Sequence, residues 1–366
     1  MDTTDYGIKF SQNGVCDYCI NYYKKILPNW MRDLNNKKKL NKKISKIKKE
    51  GKGRKYDCII GLSGGVDSSY VAYIAKEKFG LNPLLYHVDA GWNSNIAVSN
   101  IEKLVDYLGL DLYTEVIDWF EMRDLQNAYF KSGVAHLDTP QDHAFFAGLY
   151  NFAVKNDIKY VLTGANYSTE CVREPLEWHY HASDLRQILD IQKKFGSGKL
   201  VNYPMASIFM FKIYYRFLKG IKVFKPLNFV EFKMEDAINQ LSYKFGWQKY
   251  EHKHYESRFT KFCEGYWLPA RFGFDKRRAH FSSLILTGQM TRHKALEKLK
   301  VSAYDNDSRD SDMNYVANKL GISIAQLNEY FNLPKKSFND YKNSIFLIEW
   351  GTKLFRFFGI QRAIIR

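Results

Sequence analysis

Short apolar runs alternate with longer amphipathic stretches between about residue 56 and residue 250. In the amphipathic stretches the apolar residues recur at the spacing of a helix face. Strands that alternate with helices are typical of a mainly parallel sheet with helices on both faces. We predict strands at 57–62, 83–88, 111–116, 159–162 and 221–224, and helices that include 96–108 and 142–155.

The pattern divides the 366-residue chain into three parts. Residues 1–55 form a small N-terminal appendage that ends in a basic helix, 56–250 form the α/β domain, and 251–366 have a mainly helical pattern. The best candidate for a membrane span, 205–218, is interrupted by two basic residues and falls short of the roughly 20 apolar residues that a span needs. With five cysteines and no secretory signal, we expect reduced thiols and a cytoplasmic protein.

Much of the net charge of +16 lies near the N-terminus. Residues 37–55 carry eleven lysine and arginine side chains against the single acid Glu50. Leu40, Ile44 and Ile47 recur at helical spacing, which predicts a helix with a narrow apolar seam and a solvated basic face. A solvated linker helix is favoured over a surface that meets phosphates or an acidic partner, and we expect no nucleic-acid partner.

The segment after the first predicted strand is rich in glycine and serine. A strand, a glycine turn and a new helix place unpaired N–H groups and a partial positive charge at the turn. Glycines allow an oxyanion to approach closely and hydroxyls add donors, so the turn is predicted to bind phosphate. It matches neither the Walker motif nor the dinucleotide-binding glycine motif. We call this segment the phosphate turn; it consists of Ser63, Gly64, Gly65, Val66, Asp67, Ser68 and Ser69.

Polar side chains also follow two later strands, where a parallel sheet would gather them at one edge. Asp67 and Glu170 are the pair of carboxylates that a triphosphate-bound Mg²⁺ needs, since phosphate oxygens and water supply its other ligands. Asp89 either holds the nucleotide or the metal, or caps the segment that follows it. Further candidates for contact with a nucleotide are Thr163, Gly164 and Asn166.

Longer strings extend these motifs along nearly the whole chain. The chain resembles the N-acetyl sugar amidotransferase family through the strings GLSGGVDSSYVAY, HVDAGW, TPQDHAFFAGLY, TGANYSTE, HYESRFTKF and FGFDKRRAHFSSLILTGQMTR. Members of this family are PP-loop ATPases of lipopolysaccharide O-antigen and related surface-sugar biosynthesis. The resemblance implies a Rossmann-like PP-loop fold of the adenine nucleotide alpha hydrolase type, with ATP and Mg²⁺ as cofactors.

The resemblance also implies a reaction, in which the acetamido group of a nucleotide-linked N-acetyl sugar becomes an acetamidino group. ATP would adenylate the carbonyl oxygen with release of pyrophosphate, and ammonia would then displace AMP. Asp67 and Glu170, through Mg²⁺, would offset the phosphate charge, and the phosphate turn would hold the departing pyrophosphate. No cysteine lies in a recognisable nucleophile turn. Ammonia is therefore expected from a separate glutaminase. The resemblance implies one similar to the glutaminase of histidine biosynthesis, with or without a cyclase-like companion.

Substrate contacts are expected from segments outside the strand ends. Asp142 and His143 open a predicted helix, where a substrate role and helix capping are about equally supported. Lys276, Arg277 and Arg278 are candidates for the diphosphate of a nucleotide sugar, because arginine binds phosphate in bidentate fashion; a solvated basic helix is the alternative. Other substrate contacts are assigned to Glu256, Arg258 and, with simple packing as the alternative, Trp178.

Cys16 and Cys19 form a Cys-x-x-Cys pair, which is half of the ligand set of a structural zinc ion. Family members commonly carry an earlier cysteine pair upstream. Either the sequence starts late or is trimmed, or this member has lost the site. Zinc is left open and is not predicted.

Two other functions are kept as alternatives, a tRNA-modifying PP-loop enzyme and an inactive PP-loop scaffold. The sulfur-inserting tRNA enzymes usually need cysteines near the turn, where only Cys58 and Cys171 lie. The scaffold conflicts with the intact carboxylate pair. The aromatic segment 346–358 is one candidate docking surface for a glutaminase, with an amphipathic core helix favoured.

Overall fold

The described part of the chain contains a five-stranded parallel sheet. In this computed structural model the strand order is β3-β2-β1-β4-β5, so all five predicted strands and the parallel arrangement are confirmed. The structure describes all residues except 31–33, 179, 252, 305, 348–349, 352 and 354–366. The strands are β1 (Cys58–Gly61), β2 (Pro83–Asp89), β3 (Leu112–Val116), β4 (Tyr160–Leu162) and β5 (Lys222–Phe224).

Helices connect the strands and make up most of the remaining described residues. None of those helices combines the length and the apolar composition that crossing a bilayer requires. The α-helices are α1 (Asp17–Asn21), α2 (Leu27–Asn29), α3 (Leu34–Gly51), α4 (Val66–Tyr73), α5 (Asn95–Leu108), α6 (Trp119–Ser132), α7 (Thr139–Lys155), α8 (Tyr167–Glu170), α9 (Leu185–Phe195), α10 (Met234–Phe245), α11 (Arg258–Phe262), α12 (Arg277–Leu286), α13 (Arg292–Lys300), α14 (Asn306–Leu320) and α15 (Ile324–Asn332). π-Helical segments are Tyr22–Ile26, Ile74–Lys78, Met210–Leu218 and Cys263–Phe272, and short 3₁₀ turns are Leu176–Trp178, Pro226–Asn228 and Phe338–Asp340.

Successive side chains of the strands enter two different cores, one on each face of the sheet. From β1, Ile59 packs in a core with α6, α7, α9, α14 and α15, to which Phe259 and Trp267 of the C-terminal region also belong. Cys58 and Ile60 pack in the other core, with α3, α4, α5 and α10. The predicted helices on both faces are therefore confirmed.

The basic helix α3 covers the sheet. Leu40, Ile44 and Ile47 form the predicted apolar seam, and Ile47 is completely buried in the same core as β1. The lysines of α3 are exposed. The interpretation of this helix as a linker is corrected, because its seam packs into the α/β core.

The N-terminal segment packs against the C-terminal region. Tyr18, Tyr22 and Trp30 share a small core with Cys171 and with Ala279 of α12. Packing thus crosses the boundaries predicted at residues 55 and 250, and the three-part division stays a prediction. The strand order reverses between β1 and β4, and in open α/β sheets ligands bind at the carboxyl ends of such strands.

Candidate functional site

The phosphate turn connects β1 to α4 at the carboxyl edge of the sheet, beside the point where the strand order reverses. Gly65 is the N-cap of α4, and no side chain caps this helix. The N–H groups of its first turn therefore stay available to an anion. The hydroxyls of Ser63 and Ser68 lie 3.2 Å apart, and Gly65 N donates to Ser63 Oγ at 3.2 Å. Backbone and hydroxyl donors thus converge on one short segment.

Two glycines allow backbone segments to meet at this edge. Gly64 has a φ of +84°, and a Cβ there would lie 2.9 Å from the carbonyl oxygen of Ala97 in α5. Gly164, which follows Thr163 in the turn after β4, lies directly against the phosphate turn. A Cβ at Gly164 would lie 2.9 Å from the carbonyl carbon of Asp67. A larger residue at Gly164 would have to displace Asp67.

The carboxylates of Asp67 and Glu170 share one cation, the ammonium group of Lys253. Lys253 Nζ donates to Glu170 Oε1 and lies 3.7 Å from Asp67 Oδ2. Asp67 Oδ1 is buried and has no hydrogen-bond partner. A buried carboxylate oxygen without a partner, next to a second carboxylate, fits Mg²⁺, which takes few protein ligands when phosphate and water supply the rest. In the described residues no group of three acid, histidine or cysteine side chains could hold a metal, so this fit rests on the two carboxylates.

The three side chains influence one another electrostatically. Burial raises the pKa of Asp67 to about 6, against the lowering effect of Lys253. Burial also raises the pKa of Glu170, but Lys253 lowers it more, and the net pKa lies below its ordinary value. Burial lowers the pKa of Lys253, whereas the two carboxylates raise it more, so Lys253 is a cation at neutral pH.

A second group of charges adjoins the first, and we call it the mixed-charge cluster: Glu174, His254, Glu264 and Lys276. Lys276 Nζ lies 3.1 Å from Glu264 Oε1 and 3.4 Å from Glu174 Oε1. Glu264 also lies 3.2 Å from His254 Nδ1, and His254 is the residue next to Lys253. Burial lowers the pKa of His254, but Glu264 raises it more, to about 9. The cluster therefore pairs two cations with two acids.

Asp142 adjoins the mixed-charge cluster through Tyr180. The Tyr180 hydroxyl donates to Asp142, and the tyrosine ring lies 5.7 Å from Lys276 Nζ. Burial raises the pKa of Asp142. Burial also raises the pKa of the neighbouring Asp138 to about 7, although Asp138 accepts a hydrogen bond from Thr260 Oγ1 at 3.1 Å. Two further acidic groups, Asp138 and Asp142, therefore lie near the mixed-charge cluster.

The C-terminal region reaches the phosphate turn through residues 256–258. Ser63 Oγ donates to Glu256 Oε1 at 3.2 Å. Ser94 N donates to the Glu256 carbonyl, and Arg258 N donates to the Trp92 carbonyl, both at 2.9 Å. This backbone pairing holds the mixed-charge cluster beside the phosphate turn, and the two form one continuous polar site.

The basic triplet of α12 does not form one phosphate-binding group. Lys276 belongs to the mixed-charge cluster, whereas Arg277 pairs with Asp275 and donates to a carbonyl at the end of α13. Arg278 pairs with Asp2 of the N-terminal segment. Successive side chains of a helix point in different directions, so three neighbours cannot converge on one diphosphate. A diphosphate-binding role for Arg277 and Arg278 stays a prediction, which would require each arginine to leave its present partner.

Two further substrate candidates, Arg258 and Trp178, pack against other side chains of the protein. Arg258 makes two hydrogen bonds to Asp312, and its guanidinium lies 3.7 Å from the centre of the Tyr315 ring. Trp178 is buried and stacks on Phe274 at 5.5 Å. In this structure these side chains have partners in the core or in a neighbouring helix, and their assignment to substrate stays a prediction.

His143 is completely buried, and both ring nitrogens have backbone partners. Nδ1 bonds the Ala182 carbonyl, and Nε2 accepts from Ala206 N at 3.2 Å. Burial lowers its pKa to about 4, so the ring is neutral and joins two loops. A direct substrate role for His143 is corrected on this ground. Asp142 does not cap α7 either, since the N-cap is Asp138.

Two of the nucleotide candidates have structural roles, and a third is buried. Ser69 is completely buried, and its hydroxyl has no hydrogen-bond partner among the described residues. Asn166 caps α8 by accepting from Thr169 N at 2.9 Å. Asp89 accepts from Gly91 N at 2.7 Å, which is the capping alternative. Asn166 and Asp89 thus hold the backbone at this edge of the sheet. The donors available to a ligand there belong to the phosphate turn.

The cysteines are free thiols. The Sγ atoms of Cys16 and Cys19 lie 3.4 Å apart, and burial raises the pKa of Cys19 to about 11. Within the described residues this pair finds no third metal ligand of the acid, histidine or cysteine type. Cys58 and Cys171 are buried, and burial raises the pKa of both thiols. The proposed docking segment 346–358 lies largely outside the described residues.

Lys253, Glu264 and Tyr180 are site residues that sequence reasoning missed. Lys253 immediately precedes the string HYESR, which is the one local signal for it. Glu264 is an acid inside the aromatic run FCEGYW, a position that would otherwise be buried and apolar. Each makes its contacts with distant parts of the chain, where no local pattern reports them.

Two family models match separate parts of the chain. The model described as the C-terminal domain of WbpG-like LPS biosynthesis proteins matches residues 256–355. The model described as NAD synthase matches residues 37–172, which include α3 and the phosphate turn. The strand order and this second match establish the PP-loop fold.

Individual relatives are distant. An uncharacterized protein of Methanocaldococcus jannaschii is 33% identical over 105 residues, which are 29% of this chain and 36% of that protein. The U34-tRNA thiolase NcsA of Methanococcus maripaludis is 14% identical, with 78% of this chain and 80% of that chain covered and a TM-score of 0.36. The NH3-dependent NAD synthetase of Campylobacter jejuni is also 14% identical, with 82% and 97% covered and a TM-score of 0.32. Superpositions at these scores carry no argument about function.

Proposed function

This chain belongs to an N-acetyl sugar amidotransferase-like family of lipopolysaccharide biosynthesis, and we propose that it converts an acetamido sugar to the acetamidino sugar. The substrate would be a nucleotide-linked N-acetyl sugar, activated by ATP. One observation carries the proposal. Glu256, the first residue of the WbpG-like match, contacts Ser63 of the phosphate turn in the NAD synthase match. The region that would select the sugar thus lies against the region that would activate it.

The phosphate turn is suited to hold the phosphates of ATP. The uncapped N-terminus of α4 and the hydroxyls of Ser63 and Ser68 are donors, and the Ser63 hydroxyl donates to the carboxylate of Glu256. Asp67 and Glu170 would hold Mg²⁺. Mg²⁺ bound there would offset the charge of the phosphates and of the departing pyrophosphate. The protein's part in this step is positioning and electrostatic stabilisation.

The chemistry requires activation because an amide is a poor electrophile. The acetamido oxygen attacks the α-phosphorus of ATP, and the bond to pyrophosphate breaks. Ammonia then adds to the carbon of the resulting O-adenyl imidate, and AMP leaves with the original carbonyl oxygen. The product is an amidine, which is protonated at neutral pH. No covalent bond to the protein is needed, in keeping with the buried thiols.

The mixed-charge cluster is suited to hold the sugar. Glu174, Glu264 and Asp142 offer acceptors for hydroxyl and amide N–H groups. Lys276 and His254 offer cations for the diphosphate or for an acidic group of the sugar. Because these side chains pair with one another in the ligand-free protein, a substrate would replace contacts that already exist rather than fill an apolar pocket.

Ammonia would come from a separate glutaminase. Burial raises the pKa of the Cys171 thiol to about 11 and leaves it a poor nucleophile. The chain alone is therefore expected to use ammonium and not glutamine. A sulfur-inserting tRNA enzyme, the alternative, is less well supported, because Cys58 and Cys171 near the turn are both buried.

The test is mass spectrometry of UDP-linked N-acetyl sugars after incubation with ATP, Mg²⁺ and isotopically labelled ammonium. We expect one substrate to exchange an oxygen atom for a labelled NH group, with AMP and pyrophosphate as co-products. Asp67→Asn should abolish the product, and Asp106→Asn, at an exposed position on α5, should not. Product formed from glutamine by the pure chain would contradict the separate glutaminase. ATP cleavage that depends on tRNA and not on sugar would favour the alternative.

A further inference from the structure

Lys253 lies where the proposed magnesium ion would bind. Its ammonium group contacts Glu170 and lies 3.7 Å from Asp67 Oδ2, so it balances both carboxylates at once. Magnesium held by the same carboxylates would place three positive charges within a few ångströms. Repulsion between cations at this separation is large in a partly buried site. The ion and Lys253 therefore cannot keep the same contacts together.

The chain is anchored on both sides of Lys253, since the Tyr250 hydroxyl donates to the Gly64 carbonyl at 3.1 Å before it. Residues 256–258 are fixed by backbone pairing to Trp92 and Ser94. Between Lys253 and this anchor stands His254, which has a φ of +66°. The left-handed region is uncommon for residues other than glycine, although asparagine, aspartate and histidine adopt it more often than the rest. Lys253 therefore lies on a short segment between two anchors, and this segment contains one residue in an uncommon backbone conformation.

Besides Asp67 and Glu170, the acid Glu256 acts on Lys253, and the phosphates of a nucleotide bound at the turn would add further anions beside it. The phosphate turn includes Asp67 itself, so that a short movement takes the ammonium from the carboxylates to a triphosphate held at the turn. The neighbouring rings of His254 and His280 offer no negative charge to Lys253. Movement toward the phosphates is electrostatically favoured.

We propose that Lys253 and magnesium are alternative cations for Asp67 and Glu170, and that loading of magnesium–ATP transfers Lys253 to the phosphates. This inference rests on the proposed ATP site and is independent of the sugar reaction. His254 bonds Glu264 of the mixed-charge cluster, so the transfer also links nucleotide loading to the sugar site. Lys253 is a positioning residue before loading and a phosphate ligand afterwards.

Binding of Mn²⁺ without nucleotide tests the competition directly. At mildly alkaline pH, Lys253→Met should bind Mn²⁺ about tenfold or more tightly than the unmodified chain, because the carboxylates lose their competing cation. Asp67→Asn in the Lys253→Met background should remove the gain. Lys249→Met, which loses only an exposed pair with Glu235, is the matched control and should not change Mn²⁺ affinity. Unchanged affinity in Lys253→Met, or a gain that survives Asp67→Asn, would overturn the proposal.

A second measurement uses the unmodified chain and does not depend on the folding of a variant. Acylation of Lys253 by a water-soluble amine reagent, followed by peptide mass spectrometry, should be slow without metal and faster with saturating Mn²⁺. Lys249 should react at the same rate in both conditions. A Lys253 rate that is indifferent to Mn²⁺ would contradict the exchange. Both measurements omit sugar and ammonia, so their failure is distinguishable from failure of the amidotransferase reaction.

Discussion

The phosphate turn and the mixed-charge cluster are neighbours that are built in opposite ways. The turn consists of backbone N–H groups and short hydroxyls from one continuous segment, held by the close contacts of Gly64 and Gly164. The cluster consists of long charged side chains from separate segments that pair with one another, as Lys276 does with Glu264. The turn is preorganised for one kind of anion, whereas the cluster must exchange partners when a ligand arrives.

This difference separates two kinds of kinetic effect. Damage to the turn should lower the rate of ATP cleavage, because those donors act on the reacting phosphates. Damage to the cluster should weaken binding of the sugar and leave the affinity for ATP nearly intact. Single substitutions test whether effects on ATP cleavage and effects on sugar binding are separate in this way.

Asp67→Asn should lower the rate of pyrophosphate release at least about a hundredfold, since it removes one of the two carboxylates proposed to hold Mg²⁺, and metal stabilisation is worth several kcal/mol in such steps. Glu170→Gln should be milder, because water can take a ligand position of Mg²⁺. Release of pyrophosphate in the presence of sugar and ATP is the measurement. Undiminished turnover in a folded Asp67→Asn protein would remove Asp67 from the site.

Gly164→Ala should damage the turn from outside. The added methyl group would lie 2.9 Å from backbone and side-chain carbon atoms of Asp67, which forces the two segments apart at a cost of about 1–3 kcal/mol. Gly61→Ala is the matched control, because its methyl group would make an ordinary 3.6 Å contact with Leu149. ATP cleavage and thermal unfolding of both variants check this. Equal effects of the two substitutions would contradict the close approach.

Lys276→Met should raise the KM for the nucleotide sugar about tenfold, with little change in the KM for ATP, since a charged hydrogen bond contributes about 1.5–3 kcal/mol. Arg278→Met, which loses a pair with Asp2 on the surface, should change neither constant and should cost less than about 1 kcal/mol of stability. Steady-state kinetics with each substrate varied in turn measures both KM values. A rise in the KM for ATP in Lys276→Met would contradict the assignment of the cluster to sugar binding alone.

The smallest effect concerns His254 and pH. Its pKa is about 9 in the folded protein, against an ordinary value of 6.5, because Glu264 outweighs burial. A raised pKa means that the stabilisation is complete below pH 6.5 and is lost as the pH rises through 9. The Tm advantage of the unmodified chain over His254→Asn should therefore shrink across this range. Asparagine tolerates the left-handed backbone, so a constant difference would show that the His254–Glu264 pair contributes nothing.

The fold and the phosphate turn were predictable because both depend on local patterns. The strands are short apolar runs, and the turn is a continuous string of small residues between a strand and a helix. α3 shows the limit of such reasoning, since its spacing predicted the seam of Leu40 and Ile47 but not the surface that covers it.

The mixed-charge cluster was only partly predictable, because its contacts join distant segments. Lys276 was identified with two arginines that point elsewhere, since the direction of each side chain depends on the phase of α12. His143 was proposed as a ligand, and its burial against two backbone groups is visible only in three dimensions. Lys253 was missed because its partners, Asp67 and Glu170, are far away in the sequence.

The fate of the acetamido oxygen tests the central claim most directly. A nucleotide sugar whose acetyl carbonyl carries heavy oxygen should be incubated with the chain, ATP, Mg²⁺ and ammonium. Activation by adenylation predicts that the label moves to AMP, in step with amidine formed, and that pyrophosphate stays unlabelled. Label that remains in the sugar product, or that is found in inorganic phosphate, would contradict the account.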